Sequence, residues 1–419
     1  MTQSPLVLHV CHPGLCLSGV EAQNLRRLIR RCRIALTAIH EPQSPSLLQL
    51  ILPLGLQSLS ILHGLLALSV RGEERSSHDL QHHQLALGEL RKEIQEAGLN
   101  PISTHRAHKV LALCLLLSLF TLPRCDGSWV QHHRGMLSLL RSLDQSAIIS
   151  DPLGRFLLSI CAFQDISALS LGRGQLSHKA WLSWMLPRSR ERPGITLTSL
   201  EATIGYPETL IDIIAQISEF SDDNYYLYLR SLHHGASNDA MDSEALTRTS
   251  AEFETSLKDW SIPKLPGDMS SFQQLAVRLA WETMRKASLL FLWRNCGFHA
   301  NLSEPIRPDK KTQADSCTEE IITNIRAIFD MGRVHQFSIG NAMLWAVTIV
   351  ACECTWASQE QRDRVMQLVD DMGRLYTMDH VKNLRTLLVR LWERSREPSP
   401  GYLSLEHVCQ DMEMVVPLF

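Results

Sequence analysis

The chain has 419 residues, of which 45% are hydrophobic and 20% charged, with a formal net charge of −3. This is the composition of a globular protein rather than a disordered one, and the near-neutral total excludes a protein that grips polyanions with its whole surface. Eleven cysteines fall without regular spacing, several inside apolar runs where a free thiol packs as a small hydrophobe, which points to a reducing compartment.

At the amino end, Met1 to Val10 lacks the basic stretch and the apolar length of a secretory leader. Cys11, Cys16 and Cys32, with His9 and His12, have the spacing of no known zinc module, so no metal ligands are assigned. Ser18 followed by Glu21 reads as a capping box that opens a helix through about His40, and the Glu41-Pro42-Gln43-Ser44-Pro45 stretch closes it. Along that helix Leu25, Leu28, Ile29 and Cys32 form an apolar stripe, while Arg26, Arg27, Arg30, Arg31 and Arg33 cover the rest. Three readings stand side by side: a solvated helix face, a nuclear import sequence, or contact with phosphates. No aromatic residue interleaves with the arginines, so stacking on a single strand is disfavoured.

Leu47 to Val70 has the length of a membrane span, but Gln49, Pro53, Gln57, Ser58, Ser60 and His63 interrupt it. The expectation is a buried, proline-kinked core helix over 46–69. Further helices are expected over 77–97, 105–122, 129–143 and 152–170, and the run Val110 to Leu122 is too short to span a bilayer. Leu171-Gly172-Arg173-Gly174-Gln175 reads as a helix stop rather than a phosphate loop. After a polar loop over Pro187 to Pro193, Pro207 and the acids behind it open a helix over 206–220 with apolar residues at 210, 213, 214, 217 and 220. Residues 201–260 hold twelve acids against Arg230, Arg248 and Lys258, and Asp222, Asp223, Asp239 and Asp242 are the candidate surface for a basic partner. Loops are expected over 234–243 and 301–315.

From Ser338 to Ser358 the chain is apolar nearly all round, as in a helix buried on several sides. Ser358 and Gln361 read as another capping box, followed by a stripe of Val365, Leu368, Val369 and Met372. Asp379 opens a last amphipathic helix whose stripe is Leu384, Leu387, Leu388, Leu391 and Trp392. No strand pattern of useful length appears, so the fold class is all-α, an array of packed antiparallel helices. The nine tryptophans sit mostly at helical spacing within apolar stripes and read as core.

No catalytic residues, cofactor-binding residues or metal ligands are assigned. There is no Gly-x-Ser-x-Gly elbow and no His-Glu-x-x-His. Asp222-Asp223-Asn224 and Asp370-Asp371-Met372 lack the third carboxylate with which terpene cyclases hold magnesium. The adjacent pairs His82-His83, His132-His133 and His233-His234 point about 100° apart on a helix, which suits no shared ion.

In sequence order, Gln84-Leu-Ala-Leu-Gly-Glu-Leu-Arg-Lys-Glu-Ile94, Phe156-Leu-Leu-Ser-Ile-Cys-Ala-Phe-Gln-Asp-Ile166, the Gly205-x-Pro207-x-x-Leu-Ile-Asp-Ile-Ile214 start, the helix from Trp345 to Glu353, Gln361-Arg-Asp-Arg-Val365 and Leu391-Trp392 resemble the landmarks of the fungal-specific transcription factor domain. The resemblance covers residues 45–397 and implies the helical regulatory domain that usually follows a zinc binuclear cluster. It divides the chain into a basic amino-terminal helix and linker over 1–44, the domain over 45–397 and a carboxy-terminal tail over 398–419. It further implies a nuclear regulator of transcription without the zinc cluster, of the kind attached to secondary-metabolite gene clusters such as the trichothecene type. Its implied partners are other transcription factors or a second copy in a homodimer, with DNA reached indirectly or weakly and no membrane. The competing readings are an α-helical scaffold or adaptor with no role in transcription, and a helical terpene cyclase-like enzyme.

Overall fold

The computed structural model describes residues 17–40, 45–69, 77–97, 103–173, 177–189, 197–234, 243–295, 308–376, 378–397 and 404–419. Within them the chain forms eighteen α-helices and one pair of two-residue strands, an all-α architecture. The amino-terminal part comprises α1 (Gly19–Ala35), α2 (Leu47–Gly55), α3 (Leu59–Ala67), α4 (Ser77–Ala97), α5 (Thr104–Thr121), α6 (Ser128–Ser142), α7 (Gln145–Ile148) and α8 (Pro152–Gln164). Strand β1 (Ser170–Leu171) and a π-turn over Trp181–Met185 lead into α9 (Leu186–Ser189), α10 (Ser199–Ile204), α11 (Glu208–His234) and α12 (Ser243–Asp259). The rest is α13 (Ser271–Asn295), α14 (Pro308–His335), α15 (Leu344–Glu353), α16 (Gln359–Leu375), α17 (Val381–Arg394), α18 (Leu405–Asp411) and β2 (Val416–Pro417).

Local chemistry sets most of these boundaries. The Ser18–Glu21 box is formed, with the Glu21 amide donating to Ser18 Oγ at 3.2 Å and the Ser18 amide donating to Glu21 Oε2 at 2.7 Å. Ser358 accepts from the Gln361 amide at 3.3 Å, but the Gln361 side chain donates instead to Glu319 Oε1, so that box is only half made. The helix expected over 46–69 is two helices: α2 contains Pro53, Ser58 is extended, and α3 folds back on α2. Gly55 permits that return, since a Cβ there would lie 2.7 Å from Leu65 Cδ1. Pro308 stands at the first position of α14, where its missing N–H costs nothing, so the helix begins inside the loop expected through 315. The segment from 338 is not one helix either, because tight turns over Ile339–Met343 and Cys354–Trp356 flank α15.

The main apolar core runs from Leu25 in α1 to Leu418 near the carboxyl end, beside a small cluster of Leu122, Trp129 and Val130. The main core draws side chains from residues 1–44, 45–397 and 398–419 alike. In α1, Leu25, Leu28 and Cys32 are buried, and the amide of Ile39 donates to Ala202 O at 2.9 Å. The expected tail is docked as well. Ser170 pairs with Pro417 and Leu171 with Val416 in an antiparallel ladder, and Phe419 packs edge-on against Trp129 and Phe163. Burial of Leu405, Val408, Val416 and Leu418 supplies the drive. The stretch Thr104–Arg124 is apolar and long enough to cross a membrane, yet 78% of its apolar window is buried within the fold, where α5 packs against α3, α4, α6 and α8.

Candidate functional site

The landmark from Phe156 to Ile166 ends in a polar centre inside the helical array. Asp165, one residue past α8, is 1% exposed in its side chain and accepts from the amides of His178 at 2.9 Å and Ala180 at 3.0 Å, from Ser177 Oγ at 3.0 Å and from Arg173 Nη2 at 3.3 Å. Burial alone would raise its carboxyl pKa, but the Ala180 amide, Arg173 and the other donors together hold it below the ordinary value. His133 of α6 donates from Nε2 to Cys161 O at 2.9 Å, which leaves Nδ1 as the bare nitrogen. Burial first, and then the Arg173 charge, press this imidazole well below its usual range, so it is neutral.

Around this centre four buried indoles act as struts. Trp345 donates to Ala168 O at 2.7 Å, Trp181 to Asp212 Oδ1 at 2.9 Å, Trp281 to Gly205 O at 2.8 Å and Trp392 to Ala351 O at 3.2 Å. Gly205 has φ of 82°, and a Cβ there would stand 2.8 Å from Ala38 Cβ and 2.9 Å from Ala342 Cβ. Arg362 is buried and donates to Cys354 O at 3.2 Å and to Thr355 O, with its guanidinium 5.7 Å from the Trp392 ring centre. Asp165 and Arg173 thus match each other's charge, Arg362 is held by carbonyls and an indole face, and the arrangement positions helices. Burial also raises the thiol pKa of Cys32 and Cys114 to about 12, so they pack as neutral side chains. Among the described residues, no group of three His, Cys, Asp or Glu side chains is placed to hold a metal ion.

The two charged faces are smaller than the sequence implies. Arg26, Arg27 and Arg30 are exposed on α1, whereas Arg31 turns inward and donates from Nη2 to Leu68 O at 2.6 Å, capping the end of α3. The side chain of Arg33 lies outside the described residues. On α11, Asp223 is exposed and pairs with Lys179 Nζ at 3.1 Å, while Asp222 is half-buried and accepts from Ser167 Oγ. Asp239 and Asp242 lie outside the described residues. Burial pushes the Asp222 pKa up to about 7; Ser167 opposes the shift and Glu219 and Asp223 add to it. Because the folded value lies above the unfolded one, ionisation near neutral pH weakens the fold, and this cost grows as pH rises through about 7. Asp222→Asn is therefore expected to raise the melting temperature more at pH 8 than at pH 5. Equal shifts at the two pH values would contradict this account.

A family model described as the fungal specific transcription factor domain matches residues 31–418. The chain belongs to this family. No curated protein and no solved structure matches the chain. The family match reaches past the expected domain on both sides, in keeping with the docked carboxyl end and the core contacts of α1. It places the landmarks within a domain of fungal transcription factors, and the struts show what they do: Trp345, Gly205, Arg362 and Trp392 fix how the helices meet. Sequence reasoning found these residues but missed Asp165, Asp212 and Arg31 as anchors, because their partners lie elsewhere in the chain.

Proposed function

We propose that this transcription factor domain protein activates a secondary-metabolite gene cluster in the nucleus and reaches its promoters through a DNA-binding partner. The observation that carries the reading is the family match over residues 31–418, combined with the cysteine pattern of the remaining sequence. A zinc binuclear cluster needs six closely spaced cysteines, and the nearest groups in these 419 residues are Cys11, Cys16 and Cys32, and Cys352 with Cys354. Among the described residues the helices turn their apolar faces into a shared core, and we assign the reading of base edges in the major groove to the partner. A zinc-cluster factor suits that role, with a second copy of the chain as a further member of the assembly. The exposed Arg26, Arg27 and Arg30 supply either an import signal or supporting contact with phosphates.

Deleting the gene is expected to lower transcripts of one contiguous set of biosynthetic genes at least tenfold. Chromatin immunoprecipitation of the tagged full chain should enrich their promoters only while the partner is present. An unchanged transcriptome would return the scaffold reading. Replacing Arg26, Arg27 and Arg30 with alanine should reduce nuclear fluorescence or promoter enrichment without lowering protein abundance; if both stay at the parent level, the arginine face has neither role.

A further inference from the structure

The geometry points to a two-imidazole site for a divalent transition-metal ion such as zinc, formed by His63 and His82 and oriented by Glu21. His63 lies in the middle of α3 and His82 in the second turn of α4, and the packing of these helices sets their Nδ1 atoms 3.0 Å apart. This contact is an imidazole–imidazole hydrogen bond, with ring centroids 5.1 Å apart and planes inclined by 28°, so the two Nδ1 edges face each other. Two imidazole nitrogens on one tetrahedral zinc, at bond lengths of roughly 2.0–2.1 Å, are separated by about 3.3 Å. To admit the ion, the proton shared in the hydrogen bond has to move to the Nε2 of its ring and the nitrogens have to open by a few tenths of an ångström.

A carboxylate already stands behind one of the rings. His82 Nε2 faces Glu21 Oε1 at 3.6 Å, and the other Glu21 oxygen is fixed by the Ser18 amide at 2.7 Å through the cap of α1. At this distance the carboxylate is not hydrogen-bonded to Nε2, but its charge favours the tautomer with the proton there, and closing on the ring it would complete the carboxylate–histidine–metal arrangement that orients imidazole ligands. Neutral imidazole is the form that binds metal. Burial, reinforced by His82, lowers the His63 pKa, and these effects exceed the attraction of Glu21 and Glu89. Both histidines are only partly buried, so solvent reaches the positions they leave open. Since no set of three protein ligands occurs among the described residues, water completes the coordination sphere and the ion exchanges freely. Occupancy would pin α3 to α4 beside the arginine face of α1.

Zinc is to be titrated calorimetrically into the full chain carrying Cys11→Ser and Cys16→Ser, which removes competition from the amino-terminal thiols. One ion per chain is expected. His63→Ala and His82→Ala should each weaken binding at least tenfold, and Glu21→Gln about tenfold, as for loss of an orienting partner. With copper(II) as a second probe, the electron paramagnetic resonance spectrum should show two coupled imidazole nitrogens in the parent and one in either histidine variant. Circular dichroism of the metal-free variants checks the fold, with His63→Gln and His82→Gln replacing any alanine variant that fails. Zinc affinity unchanged in both histidine variants, or no saturable one-ion step in the parent, overturns the proposal.

Discussion

Trp345→Ala is expected to destabilise the protein by about 3–5 kcal/mol, the range for truncating a fully buried large aromatic. Trp345 has 0% exposure, lies in a helix that is apolar on every side, and packs against Phe291 with ring centroids 5.7 Å apart. Two effects add. The first is the cavity left by the ring, which the surrounding helices cannot fill without shifting from positions set by other buried contacts. The second is the Ala168 carbonyl, which loses its donor at 2.7 Å and is left without that bond in a low-dielectric interior. Trp345→Phe separates them: most of the apolar volume stays but the donor goes, so a loss of about 1–3 kcal/mol should remain. Val334, 74% exposed at the end of α14, supplies the control, and Val334→Ala should stay within about 0.5 kcal/mol of the parent. Urea denaturation of the full chain measures all three. A loss below about 1 kcal/mol for Trp345→Ala would show that the indole is not a strut. In cells, the destabilised variant should lose abundance and target transcripts together, because marginally folded protein is removed by quality control.

The periodicity of apolar residues made α16 and α17 legible because each is amphipathic in its own right. The stripes at Val365, Leu368, Val369 and Met372 and at Leu384, Leu387, Leu388, Leu391 and Trp392 are all buried, as their spacing predicts. Boundaries were legible where a cap or a proline decides them, as at Ser18, and less so where tertiary packing does. The break between α2 and α3 brings Gly55 against Leu65 and Ile61 of the returning helix, a packing contact that no local pattern encodes. The segment over 398–419 read as a tail because the family landmarks end at Leu391-Trp392. Its place is decided by a ladder with Ser170–Leu171, more than two hundred residues away in sequence. The same limit applies to the charged faces. Arginines of α1 look equivalent in sequence, yet Arg31 faces the carbonyl of Leu68 while Arg26, Arg27 and Arg30 face solvent. Likewise Asp222 and Asp223 are adjacent, but one helical step of about 100° turns the first toward Ser167 and leaves the second in water.

Removal of the Asp165 carboxylate should be as costly as loss of the Trp345 ring. Asp165→Ala would leave the Arg173 guanidinium, whose side chain is 5% exposed, without its counter-charge, and uncompensated buried charges cost about 3–5 kcal/mol. It would also orphan the amides of His178 and Ala180, which hold the turn between α8 and the Trp181 strut. Asp165→Asn keeps an acceptor but not the charge, so its loss should be smaller. The acid dependence follows from the same groups. Asp165 has a folded pKa below its unfolded one, so its contribution is complete above the unfolded value, near pH 4, and is lost as pH falls through the folded value. His133 is also depressed when folded; between its ordinary value of about 6.5 and its lower folded value, the unfolded chain binds the proton more readily. Stability supplied by the neutral imidazole is thus present above about pH 6.5 and drains away below it, before the carboxylate begins to protonate. His133→Gln, which can still donate to Cys161 O, should flatten the stability profile between pH 6.5 and 5 while leaving the steeper loss at lower pH, where Asp165 titrates. Urea midpoints across that range decide the matter: a His133→Gln profile parallel to the parent's would mean that His133 does not titrate with unfolding and that the acid sensitivity lies elsewhere.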